Sequence, residues 1–128
     1  MTAGVRWHLR ACCYEHDEFR DFVISRVIAA QTSTELGADP SGDLSWNVEL
    51  SIIIEPAPHL TAGERKAVEL DYGMLNGRIE LRVPKAMLLY LLRQLPLYSD
   101  ATKTPHNTLV LRNLSELQPV LTMLGIEI

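Results

Sequence analysis

Cysteine is scarce in this sequence, and the two residues present, Cys12 and Cys13, are adjacent. On a strand they would point to opposite faces. They make no disulfide framework, and a reducing, cytoplasmic setting is expected. Long apolar runs are missing too. The longest, residues 86–92, falls far short of the roughly 18–20 residues that span a bilayer. The first residues show no basic region followed by an apolar stretch, so neither a membrane partner nor a signal peptide is expected. Positive charge is in deficit, with 12 Lys and Arg against 16 Asp and Glu and a net charge of −4. That balance argues against a large basic surface for generic nucleic-acid binding. Paired carboxylates, a glycine-rich phosphate loop and a nucleophile motif are all lacking at usable spacings. No enzymatic activity, catalytic residue or cofactor is therefore expected. Cys12, Cys13, His16 and Asp17 fit no established zinc spacing, and no metal is expected either.

What the sequence does contain begins at residues 5–13, VRWHLRACC. With a period of two, Val5, Trp7, Leu9, Ala11 and Cys13 fall on one face of a strand, and Arg6, His8 and Arg10 on the other. Four arginines and no lysine occur in the first thirty residues. That choice favours bidentate anion recognition over a diffuse positive cloud. A polar connection, YEHDE, leads to a second strand over residues 19–27. Arg20, Phe22, Ile24 and Arg26 share one of its faces, and the pair reads as a hairpin. An isolated hairpin is marginal, so the chain is expected to open inside a domain. The five candidates for holding an anion are Arg6, His8, Arg10, Arg20 and Arg26. The plainer alternative is that these arginines pair with Glu15, Asp17, Glu18 and Asp21. Trp7, Phe19 and Phe22 read more readily as core than as stacking platforms.

Residues 29–45 shift to a Gly-, Pro- and Ser-bearing composition and read as a linker. A strand over 46–55 follows. Thr61 with Glu64 makes a capping box that opens a helix to about Leu70. Residues 72–75 and 78–83 flank Asn76-Gly77 and read as a second hairpin. Pro84 is placed at the first position of a helix running to Leu95, with Leu88, Leu91, Leu92 and Leu95 on one face. Met87, Leu89 and Tyr90 lie away from that stripe and are candidates for a subunit interface. A polar loop over 98–107, a short strand over 108–112 and a helix over 115–124 complete the chain, with Pro119 in or near its first turn and Gly125 as stop. The expected class is α+β: an N-terminal hairpin, then a small antiparallel sheet with helices packed on one side.

The RWHLRACC and FRDFVISRV segments resemble the closing strands of the WYL domain, an SH3/Sm-like barrel of bacterial transcription regulators. Trp7-His8-Leu9 stands where the family has its signature tripeptide, with His8 replacing tyrosine. HLTAGERKAVELDYGMLNGRIELRV and AMLLYLLRQL are similar to the extension that follows WYL domains. The resemblance implies incomplete barrel strands over 1–29, a linker over 30–45 and an α+β dimerisation domain over 46–128. It implies a homodimer, an anionic nucleotide-like effector sensed by the arginines, and DNA binding only through a winged helix that these 128 residues do not contain. The alternative is a bare interaction module that binds neither ligand nor DNA.

Overall fold

The computed structural model describes residues 2–3, 6–98 and 106–125. Val5 and most of the polar loop over 98–107 lie outside them. The chain is α+β, with two three-stranded antiparallel sheets. The first orders β1 (Thr2–Ala3), β2 (Arg6–Cys13) and β3 (Glu18–Val23) with β2 central. The second orders β5 (Ile79–Pro84), β4 (Glu49–Pro56) and β6 (Leu109–Leu111) with β4 central. Four helices accompany them among the described residues: α1 (Leu44–Asn47), α2 (Ala62–Asp71), α3 (Leu88–Gln94) and α4 (Leu114–Met123).

The first hairpin forms as its alternation predicts. Cys13 pairs with Glu18, Arg10 with Asp21 and His8 with Val23. The turn closes with the His16 N–H donating to the Cys13 carbonyl, and Asp17 takes φ 50°, a left-handed conformation that aspartate tolerates. The second strand is shorter than expected. After Val23 the chain coils into a 3-10 turn, Ile24–Arg26, closed by the Val27 N–H on the Ile24 carbonyl. Four residues of apolar–polar alternation cannot separate a strand end from such a turn, and Arg26 therefore leaves the sheet.

The strand expected from Trp46 starts instead at Glu49, because Asp43 caps a helical turn. Its carboxylate accepts the Trp46 N–H, and its carbonyl accepts the Asn47 N–H. Along β4 the pleat then sends Ile52 and Ile54 inward, at 0% and 2% exposure. They meet Val68 of α2, Leu88 and Leu92 of α3, Leu109 of β6, and Leu117 and Leu121 of α4 in one core. The other face of the sheet is polar, with Ser51 bonded to Glu80 and Arg82 paired to Glu49.

Three further expectations are corrected. Residues 72–75 are the exit of α2 rather than a strand. Gly73 adopts φ 62°, its N–H bonds the Leu70 carbonyl, and the Met74 N–H bonds the Glu69 carbonyl, which is a Schellman cap. Asn76-Gly77 does form the tight turn, at φ 55° and 75°. Only Leu75 and Arg78 bridge across it, and β5 pairs with β4. Pro84 ends β5 opposite Glu49 and stays extended at ψ 140°, so the helix begins only after a 3-10 turn over Lys85–Met87. Pro119 is the sixth residue of α4 rather than part of its first turn. The carbonyl it leaves without a helical partner belongs to exposed Ser115, where water can reach it.

Asn113 carries a structural duty with no local sequence signal. Buried at 5% exposure, it accepts the Ile53 N–H at 3.0 Å and donates to the Ser51 carbonyl at 2.8 Å. Its amide thus continues the pairing of β4 where β6 has ended. Asn113→Ala strands a buried donor and acceptor and is expected to cost about 2 kcal/mol. Asn113→Asp cannot donate to Ser51 and should not rescue it. Urea unfolding measures both, and a loss below about 0.5 kcal/mol for Asn113→Ala would contradict this role.

Candidate functional site

The hairpin's charged face is its inner one. His8 is buried at 6% exposure, whereas Trp7 and Leu9 on the opposite face are 61% and 49% exposed. Alternation defines the two faces but not which of them is covered. Here the covered face is the one bearing His8 and Arg10.

Arg10 sits at the centre of a polar cluster that joins the hairpin to the second sheet's elements. Its Nε and Nη2 donate to the two carboxylate oxygens of Asp43 at 2.5 and 2.8 Å, a fork-to-fork pair. Its Nη1 donates to Asp21 Oδ1 at 3.0 Å, directly across the hairpin. The second oxygen of Asp21 accepts the Tyr90 hydroxyl of α3 at 2.7 Å. The Tyr90 ring lies 4.9 Å from the His8 ring, tilted by 40°. Asp43 in turn caps α1, which packs on the 85–87 turn and β5, and the Val48 carbonyl after α1 accepts the Lys85 N–H. A side chain on β2 therefore anchors, through one carboxylate, the segment that leads into β4.

The electrostatics follow from this geometry. Asp43 holds Arg10 firmly protonated, against an opposing effect of burial. Arg10 in return holds the Asp43 carboxyl below its ordinary range, the more effectively because Asp43 also receives the Trp46 N–H. Burial, helped by the bond to Asp21, pushes the Tyr90 hydroxyl up to about 12.

The other candidates are dispersed. Arg20 pairs with Ala11, which places it on the outer face with Trp7, Leu9 and Phe22, and it bonds neighbouring Glu18 on the exposed surface. Arg6 and Arg26 are exposed, Arg26 on the 3-10 turn. Of the five residues expected to hold an anion, only His8 and Arg10 share the inner cluster. The candidate interface residues Met87 and Leu89 are half-buried, and Tyr90 is engaged by the hairpin. Beside Arg10 a cleft of about 330 Å³ opens between the hairpin and residues 38–46, lined by Cys12, Tyr14, Phe19, Pro40 and Trp46. At the hairpin tip the ligand atoms of Cys13, Glu15 and His16 lie within 4.8 Å of one another, with Glu15 and His16 exposed. Asp43 is the partner that sequence reasoning missed, whereas Asp21 for Arg10 and Glu18 for Arg20 are pairings that the plainer alternative named. Asp43 lies in the stretch read as linker, and its capping spacing ahead of Trp46 is the local signal that could have found it. No described helix is long and apolar enough to cross a membrane.

The polar cluster thus ties the hairpin to the elements of the second sheet. Residues 49–117, from the start of β4 into α4, match a family of C-terminal dimerization domains of transcriptional regulators. The chain belongs to that family, described as BrxR transcriptional regulator, C-terminal dimerization domain. It is similar to the DNA-binding transcriptional repressor CapW of Escherichia coli, at 43% identity over 94 residues, covering 73% of this chain and 31% of the relative. The CapW repressor of Stenotrophomonas maltophilia is 44% identical over 99 residues, covering 77% and 33%. That of Pseudomonas aeruginosa is 34% identical over 120 residues, covering 92% and 40%. The chain thus spans between about a third and two-fifths of the length of these relatives.

The cluster has a pH signature. The folded carboxyl of Asp43 lies below its unfolded value of 3.8, so its contribution is fully present above that value and fades as pH falls through the folded one. Asp43→Asn is expected to cost about 3 kcal/mol at pH 7, since it leaves Arg10 half-paired in a mostly buried site. It should also flatten the acid limb of stability below about pH 5. Urea midpoints between pH 7 and pH 3 test this. An acid limb as steep as the wild type's would show that Asp43 does not carry it.

Proposed function

We propose that this chain is the C-terminal portion of a DNA-binding transcriptional repressor, holding two copies together and relaying an effector signal to the dimer. The observation that carries this reading is the family match over 49–117 joined to the Arg10–Asp43 pair, which couples the hairpin to that same segment. In this reading residues 1–29 are closing strands of a WYL-type SH3/Sm-like barrel and residues 30–45 link them to the dimerisation domain. Operator contacts then come from a winged helix outside this sequence, and the setting is cytoplasmic.

The effector is an anion of the nucleotide or oligonucleotide class. Arg20 and the exposed Trp7 lie on the same outer face of the hairpin, separated by the Leu9–Phe22 pair, and supply that face with a guanidinium and a stacking surface. Arg6 and Arg26 add exposed charge, with no ion-pair partner among the described residues. Arg10 is the switch. A phosphate competing with Asp43 for its fork would free the cap of α1, and His8, its ring against that of Tyr90, would register the hairpin's movement on α3. A ligand that binds the freed state better than the paired one shifts the population accordingly.

Fluorescence anisotropy with a labelled single-stranded oligonucleotide tests the anion reading. Binding should weaken with salt, and Arg20→Ala and Arg26→Ala should each flatten the log–log salt slope by about 0.7. Absence of binding, or unchanged affinity and slope in both variants, would remove the arginines from the mechanism and favour a bare interaction module.

A further inference from the structure

We propose that the outward face of α2 and the turn after it, carried by Ala67, Leu70 and Leu75, is the surface on which a second copy of this chain docks. The proposal rests on the dimerisation reading above and adds where the contact lies. Within the family-matched residues 49–117, Leu70, Tyr72 and Leu75 are the large apolar side chains that stand exposed among the described residues, at 69%, 36% and 79%. Most of the others in that stretch pack on the core. Met74, between them in sequence, packs against it, as do Leu81, Val83, Leu91 and Leu95. On α3, Tyr90 is bonded to the hairpin and Met87 and Leu89 are half-covered. A domain of a family described for dimerisation therefore presents Leu70 and Leu75 as the most exposed large apolar side chains of the matched segment among the described residues.

Helix geometry extends the patch. Val68 points to the core, and at 100° per residue Gly63, Ala67 and Leu70 share a face turned away from it. Gly63 and Ala67 are exposed, and a Cβ placed on Gly63 would meet nothing within 4 Å. Small residues beside an exposed leucine let a second backbone approach closely. The patch is also rigid. The Schellman cap fixes Tyr72 to Met74, and Leu75 and Arg78 exchange backbone hydrogen bonds across Asn76-Gly77 at 2.9 and 3.2 Å. A preorganised apolar patch loses little freedom on association. A two-fold dimer uses the same patch on both partners, so each contact made by an exposed leucine occurs twice in the assembly.

Sedimentation of the full chain over a range of concentrations provides the test, with far-UV circular dichroism and thermal midpoints monitoring the fold. The wild type is expected to sediment at twice the 14.4 kDa of one chain. Leu70→Glu and Leu75→Glu should each weaken self-association by about thirtyfold or more while the spectrum stays unchanged, because both side chains are already exposed in the single chain. Ala67→Trp, a bulky residue on an exposed helix face, should do the same through a clash that only a partner can supply. Met123→Glu, 66% exposed but outside this face, should remain dimeric. A dimer untouched by the three variants would overturn the surface and leave dimerisation standing. A wild type that is monomeric at every concentration would overturn the dimerisation reading itself.

Discussion

The bidentate pair between Arg10 and Asp43 is the constraint on which the arrangement of this chain depends. Arg10 belongs to a hairpin that could not stand alone, and Asp43 belongs to the segment that feeds the central strand of the other sheet. With side-chain exposures of 15% and 7%, the pair is shielded enough that losing either partner strands a charge, yet each fork atom has a matching oxygen. Asp21 completes the set by accepting from Arg10 and from Tyr90 at once, so β3 and α3 are held by the same group. Asp43 has two duties of its own, neutralising Arg10 and capping α1. Breaking the pair therefore loosens a helix cap as well as an ion pair.

This arrangement suits a relay better than a binding pocket. The inner arginine is already matched with carboxylates, while the outer face of the hairpin presents Trp7, Leu9 and Arg20. In the proposed reading, an anion arriving from outside would meet the exposed guanidinia first and would affect the rest of the chain by competing for the inner one. The family segment begins at Glu49, six residues beyond Asp43, so the cap lies where a signal from the hairpin would enter the dimerisation domain. On the two proposals together, regulation and assembly would occupy different surfaces, the hairpin cluster on one element and the α2 face on another. That separation lets one change without dissolving the other.

Features governed by near neighbours were legible in the sequence. Thr61 and Glu64 form their capping box because donor and acceptor are three residues apart. The leucine stripe of α3 buries Leu88 and Leu92, and the Asn76-Gly77 turn forms where expected, because each rests on local periodicity or φ preference. What failed to show depends on distance along the chain. Arg10 finds Asp43 33 residues away, Tyr90 finds Asp21 69 away, and Asn113 reaches the β4 backbone across some 60. Alternation on β2 separated the two faces correctly but carried no information on which would be covered, since an arginine row can be solvated or paired. Residues 72–75 misled for a related reason. A glycine inside an apolar stretch fits a strand as well as a helix exit, and only the bonds from Met74 and Gly73 back into α2 decide between them.

The most direct test of this account is a double-mutant cycle on Arg10 and Asp43, with each residue changed to alanine singly and then together. Each single variant should be destabilised, and the double variant should be little worse than either, giving a coupling energy of about 2 kcal/mol. Single losses that add to the double loss, with coupling near zero, would show that the pair is a bystander and that other contacts hold the hairpin in place.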